Sequence, residues 1–174
     1  MKILRTLFIL FFITSCNTPR AIYDYDQEVD FSKYSTYAIF PDFRSGLSQL
    51  DEGRLLKSLD SAMKKKGFSN APEDAGLYVN VYTEQFREEN PSRLGVGVGG
   101  GGRNVGVGVS GGIPLGGTDQ FLRITFDFID AEKDSLVWKA IVETPFDLNA
   151  SPEQRQAIFD KVVQKALEGY PPKK

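Results

Sequence analysis

The chain has 174 residues, 41% of them apolar and 25% charged, with a formal charge of −2. That is the length of one domain, enough to bury about 68–70% of the unfolded surface and to fold without a disulfide or metal. One cysteine and no histidine exclude a histidine triad, a Cys-His dyad, a histidine-ligated metal and an internal disulfide, and the weakly acidic balance argues against a nucleic-acid partner.

The first residues read as an address. Lys2 and Arg5 form a short basic region, and Thr6 to Ile13 is an apolar run of eight, too short to span a bilayer as a mature helix. Ile13-Thr14-Ser15-Cys16 follows. This resembles a bacterial lipobox: an aliphatic residue, two small ones, and the cysteine whose thiol takes the lipid. The resemblance implies a signal peptide over 1–15, a lipidated Cys16 with palmitate-type acyl chains, and a short tether over 16–20. A chain starting at Cys16 has 159 residues and, without Lys2 and Arg5, 19 basic against 23 acidic side chains, a charge of −4. Asn17 stands where inner-membrane retention favours aspartate, and no acidic run follows Cys16. We therefore expect the outer membrane, facing the periplasm. Four extended residues reach about 14 Å, so the domain sits close to the membrane.

The domain proper is expected over 21–172. Ile22 to Asp26 alternates as a strand does, Asp30 to Tyr34 is turn-like, and Tyr37 to Phe40 reads as a second strand stopped by Pro41. Asp51 to Lys66 carries Leu55, Leu56, Leu59, Ala62 and Met63 at helical spacing. Its acidic first turn and Lys64-Lys65-Lys66 at its end suit the helix dipole, and Gly67 suits the position after the helix. Leu77 to Phe86 is a strand apolar on both faces, which predicts a central place in a sheet.

Residues 95–117 hold 12 glycines in 23 positions. Val96 and Val98, then Val105, Val107 and Val109, keep a period of two around a tip containing Arg103. We read a glycine-rich hairpin or loop, with these six residues as candidate contacts for a partner edge strand or a membrane. The run satisfies G-x-G-x-x-G, but no helix follows and no Gly-Lys-Ser/Thr is present, so nucleotide binding is not expected.

Phe121 to Ile129 and Leu136 to Thr144 alternate and fix each other's register. Pairing residues whose numbers sum to 266 sets Arg123 opposite Glu143, Asp127 opposite Lys139 and Phe128 opposite Trp138, with opposite charges on one face and aromatics on the other. The turn is expected at Asp130–Ser135. Ser151-Pro152-Glu153-Gln154 opens a last helix with a capping-box pattern. Ile158, Phe159, Val162, Val163, Ala166 and Leu167 form its buried stripe, and Gly169 closes it. The order β-β-α-β-(glycine-rich hairpin)-β-β-α predicts an α+β fold: an antiparallel sheet with two amphipathic helices packed on one face.

Four passages carry a family resemblance: Tyr23 to Asp26 with Asp30 to Ala38; Lys66-Gly67-Phe68 with Ala75 to Val79; Asp127 to Trp138; and Tyr170-Pro171-Pro172. In this order they resemble the small Gram-negative envelope lipoproteins of the domain-of-unknown-function family numbered 4136. The resemblance spans roughly 20 to 172. Gly76 departs from it, where the family more often has aspartate. The family has no assigned activity, so the resemblance implies no catalytic residue.

Other clusters read plainly. Asp127, Asp130, Glu132 and Asp134 do not fit an EF-hand, which needs glycine at its sixth and glutamate at its twelfth position; Ser135 and Ile141 stand there. Asp24 and Asp26 form a solvated carboxylate pair without a partner base. Tyr23, Tyr25, Tyr78 and Tyr82 could line a sheet face for a small ligand. We expect no catalytic residue, metal or cofactor. The favoured reading is a lipid-anchored, non-enzymatic structural or accessory domain with an envelope protein partner. The alternative is a periplasmic binding protein using the tyrosine-lined face.

Overall fold

The computed structural model describes residues 19–89, 93–94, 113–114 and 118–172. The chain forms β1 (Arg20–Tyr25), a 3-10 turn (Phe31–Lys33), β2 (Thr36–Ile39), α1 (Gln49–Lys65), β3 (Ser69–Asn70), β4 (Leu77–Glu89), β5 (Arg93–Leu94), β6 (Ile113–Pro114), β7 (Thr118–Asp130), β8 (Ser135–Pro145) and α2 (Pro152–Glu168). Six strands make one sheet in the order β1-β8-β7-β4-β2-β3, and β5-β6 pair separately.

This is an α+β fold, but the sheet is mixed and not antiparallel throughout. β2 runs parallel to both β3 and β4. The reason is the crossover: α1 carries the chain back to the end where β2 began, and a parallel neighbour needs such a return. β1 pairs with β8, far along the chain.

The β7–β8 register is the one the charges and aromatics predict, from Phe121 opposite Pro145 to Phe128 opposite Trp138. A bulge then shifts it, so that Ile129 meets Leu136 and Asp130 meets Ser135. Two residues, Val137 and Trp138, thus oppose Phe128. Both are buried, while Leu136, expected inward, is turned out and 47% exposed.

Both helices lie on one face and run parallel, as the contacts Asp51–Arg155, Ser58–Asp160 and Lys66–Tyr170 show. Leu55, Leu59 and Met63 of α1 and Phe159, Val162, Val163 and Ala166 of α2 join one core with Leu77, Val79 and Val81, with Leu122, Ile124, Phe126 and Phe128, and with Trp138, Ala140 and Val142. Ser48 caps α1 through the Asp51 amide. Its end is a Schellman motif: Phe68 N–H donates to Met63 O, Gly67 N–H to Lys64 O, and Gly67 takes φ +89°. Ser151 and Gln154 complete the capping box of α2.

Candidate functional site

With both helices on the inner face, the outer face of the sheet has no described element packed over it. Three registers determine what it presents. Glu84 opposes Arg123, Arg123 opposes Glu143, and Glu143 opposes Arg20. Four residues along, Asn80 opposes Asp127, Asp127 opposes Lys139, and Lys139 opposes Asp24. Between these charged rows lies Tyr82-Thr125-Ile141-Ile22, and beyond them lie Phe86-Phe121-Pro145 and Tyr78-Ile129-Leu136. The face is striped, apolar rows alternating with charged ones. Within a charged row, and from one charged row to the other along β7, β8 and β1, the sign alternates, while Asn80 of β4 carries no charge.

The charged rows are ordered. Arg123 donates from Nε to Glu143 Oε1 at 2.8 Å and from Nη1 to Glu84 Oε2 at 3.4 Å, and its guanidinium lies 4.9 Å from the Phe86 ring centre. Lys139 Nζ lies 3.4 Å from Asp127 Oδ1, an ion pair off the hydrogen-bonding line, and that oxygen is buried without a hydrogen bond. Burial pushes the Asp127 carboxyl above its ordinary range, against the pull of Lys139. Ile22 is 67% exposed.

A second feature is an arm. β8 stops opposite Phe121, whereas β4 and β7 pair on from Arg87–Gln120 to Glu89–Thr118. Leu77 with Asp130 and Glu89 with Thr118 both sum to 207, and β5 keeps that sum with β6, Leu94 meeting Ile113. The flanks of the glycine-rich segment are therefore held side by side. Val96, Val98, Arg103, Val105, Val107 and Val109 lie outside the described residues, as does Cys16.

The four candidate tyrosines do not share a face. Tyr78 and Tyr82 are on the outer face, opposite Ile129 and Thr125. Tyr23 and Tyr25 point inward, opposite Ala140 and Trp138. The Tyr23 hydroxyl donates to the Lys165 carbonyl at 2.6 Å, and its ring packs on Trp138. Tyr25 meets Phe31 edge-on. Pairing β1 with β8 puts odd-numbered residues of β1 on the helix side, so no single tyrosine-lined surface forms. Asp24 and Asp26 cap local amides, Tyr25 N–H and Glu28 N–H, and border a small cleft of about 220 Å³ with Lys139.

Two buried carboxylates escaped the sequence reading. Asp130 accepts from Tyr34 Oη at 2.6 Å, Lys33 Nζ at 2.9 Å, and the Glu132 and Lys133 amides. Burial alone would raise its pKa, but these donors outweigh it and hold the carboxyl well below the usual range. Tyr34 is pushed up to about 12 by burial and by Asp130. Asp51 joins the helices: Arg54 meets Oδ1 at 2.7 Å, and Arg155 meets Oδ2 at 2.6 Å. Arg155 also donates to the Leu148 and Ala150 carbonyls and covers Phe146. The local signals were an aspartate opening a predicted helix and another opening a predicted turn, which the sequence places among solvated groups. Both are structural ties with satisfied oxygens. Among the described residues, no group of Asp, Glu or Cys is placed to hold a metal ion. A groove of about 520 Å³ runs between the helices, bordered by Ser58, Lys65, Lys66, Asp160, Gln164 and Glu168 over Ala62 and Leu167.

The family described as "Domain of unknown function (DUF4136)" matches residues 21–172. No curated protein matches the chain. Among solved structures, a PelC dodecamer from Paraburkholderia phytofirmans is similar at 11% identity and a TM-score of 0.53, covering 90% of this chain and 100% of its own. A PDZ domain protein from Parabacteroides distasonis is similar at 16% identity and a TM-score of 0.49, over 91% of this chain; the chain spans 38% of that protein. A minor lipoprotein from Acinetobacter baumannii is similar at 11% identity and a TM-score of 0.38, covering 78% of this chain and 91% of its own. At these identities the likeness to PelC concerns the fold.

Proposed function

The chain belongs to the family described as Domain of unknown function (DUF4136), and from that premise we propose that it is a lipid-anchored domain of the bacterial envelope that acts by contact and not by catalysis. The lipid is carried by Cys16 in the Ile13-Thr14-Ser15-Cys16 motif, and the domain faces the periplasm from the outer membrane.

The observation that carries this reading is where β1 begins. Arg20, the first residue of β1, lies at the level of Glu143, Arg123 and Glu84, towards the end of the sheet where β4 and β7 extend past β8. The arm and the first residue of β1 therefore share one end of the sheet. With about 14 Å of extended chain between Cys16 and Arg20, a lipid on Cys16 brings the arm to the membrane surface.

In-cell labelling with an alkyne analogue of palmitate should tag the wild type and leave Cys16→Ser unlabelled and released from membranes. Photo-crosslinking residues at Arg87 and Gln120, on the arm, should capture lipid or one envelope protein. A chain that takes no label and fractionates as a free periplasmic protein would refute the anchor, and silent arm positions would refute the contact.

A further inference from the structure

We propose that the outer face of the sheet is where two copies of this chain meet, face to face. This rests on the reading above, that the domain works through contacts, and it names one partner. The carrying observation is the pattern of charge. Across β4-β7-β8-β1 one row reads Glu84, Arg123, Glu143, Arg20, and the other reads Asn80, Asp127, Lys139, Asp24.

Consider a two-fold axis lying in the face, along the strands between β7 and β8. It sets β8 of one copy over β7 of the other, and β1 over β4. Arg123 then meets the second copy's Glu143, Asp127 meets its Lys139, and Glu84 meets its Arg20. Each contact occurs twice, as an isologous interface requires. Between the charged rows, Tyr82 meets Ile22 and Thr125 meets Ile141. An axis across the strands would set Glu84 over the uncharged Asn80 and would put the two tethers at opposite ends, so the axis along the strands is the one proposed. Arg123 with Glu143 and Glu84, and Asp127 with Lys139, already pair within the sheet, and a second copy set this way meets each of them with the opposite sign.

Two further observations agree. Asp127 has one cation, Lys139, on its buried Oδ1, while its side chain as a whole stays 16% exposed, and a facing lysine would bring that exposed part a second cation. Ile22, in the central row, is 67% exposed, and sheet-on-sheet packing at a spacing of about 10 Å would cover it. Four strands over some nine residues cover about 600 Å² per copy, or about 1,200 Å² in all, the lower edge of stable interfaces. The dimer should be weak, with a Kd in the micromolar range.

The test is sedimentation of the full chain in mild detergent. A concentration-dependent dimer is expected. Ile22→Lys and Ile141→Lys should each weaken it at least about tenfold with unchanged melting temperature, whereas Leu50→Lys, on an exposed position of α1, should leave it intact. In cells, Ile141→Cys should give a dimer-sized product with a short bismaleimide, above any background from the wild type, and Lys57→Cys on α1 should not. A wild type that stays monomeric to about 100 µM, or a dimer or larger ring indifferent to both lysines, overturns the proposal. A monomer whose Ile141→Cys links to another envelope protein, or to its own chain, overturns self-pairing and leaves the contact reading standing. Silence from this face and from Arg87 and Gln120 overturns both.

Discussion

Gly169 ends α2 at φ −84° and ψ 0°, a conformation that alanine adopts without strain. Judged from the backbone alone, Gly169→Ala should stabilise the protein by about 0.4–1 kcal/mol, by restricting the unfolded chain. The packing says the reverse. A Cβ at 169 would lie 2.5 Å from Tyr23 Cδ1 and 2.7 Å from Cγ and Cε1, where ordinary contact needs about 3.5–4 Å. The ring cannot swing away freely, because its hydroxyl is bound to the Lys165 carbonyl at 2.6 Å and Trp138 packs against it. Overpacking costs about 1–3 kcal/mol, and losing the Tyr23 hydrogen bond adds about 1 kcal/mol. We expect Gly169→Ala to destabilise by about 2–4 kcal/mol, a fall in Tm of about 5–15 °C for a domain of this size. The assay is a double-mutant cycle with Tyr23→Leu, followed by thermal and urea unfolding. In the Tyr23→Leu background the alanine should be close to neutral. A neutral or stabilising Gly169→Ala, or costs that simply add, would refute the wedge.

Asp130→Asn should destabilise by about 2–3 kcal/mol at neutral pH, since it removes a carboxylate that receives charged and phenolic donors. Because the folded-state pKa of Asp130 is lowered, its stabilisation is present above the unfolded carboxylate range near pH 4 and is lost as pH falls through the folded value; urea midpoints against pH should slope less below pH 4 in Asp130→Asn than in the wild type. Arg155→Ala leaves buried Asp51 with Arg54 as its one cation, beside the Ser48 hydroxyl, and frees two loop carbonyls, so denaturant unfolding should show a loss of about 3 kcal/mol. The bulge predicts opposite results at adjacent positions: Leu136→Lys should fall within about 0.5 kcal/mol of the wild type, and Val137→Lys should cost more than about 3 kcal/mol in the same assay.

What was legible in the sequence was what neighbouring residues settle between themselves. The β7–β8 hairpin follows from opposite charges and aromatics that meet across a short turn. The capping box at Ser151 and the Schellman end at Gly67 are equally local. The bulge was not legible, because one inserted residue leaves the alternation on each side intact while reversing which side Leu136 takes. Nor was the parallel β2–β4 pair, since periodicity marks a strand but not its neighbour. Long-range pairing also decided the tyrosines. Alternation puts Tyr23 and Tyr25 on one face of β1, and only the β1–β8 register shows that α2 covers that face. The striped outer surface is the converse. Its rows follow from three register sums, of which the sequence supplied only that of β7–β8.

β1 is at once the edge of the sheet and the strand next to the tether. It lies antiparallel to β8 from Arg20–Glu143 to Tyr25–Trp138, so traction through Pro19 acts along its length. All six residue pairs then bear the load together in shear, where a pull at right angles would open them one at a time like a zipper. The Tyr23 hydroxyl's bond to the Lys165 carbonyl and the fit of its ring over Gly169 resist the same sliding motion. Tension on the N-terminus is thereby shared between the sheet and α2, and the edge strand acts as a mechanical clamp.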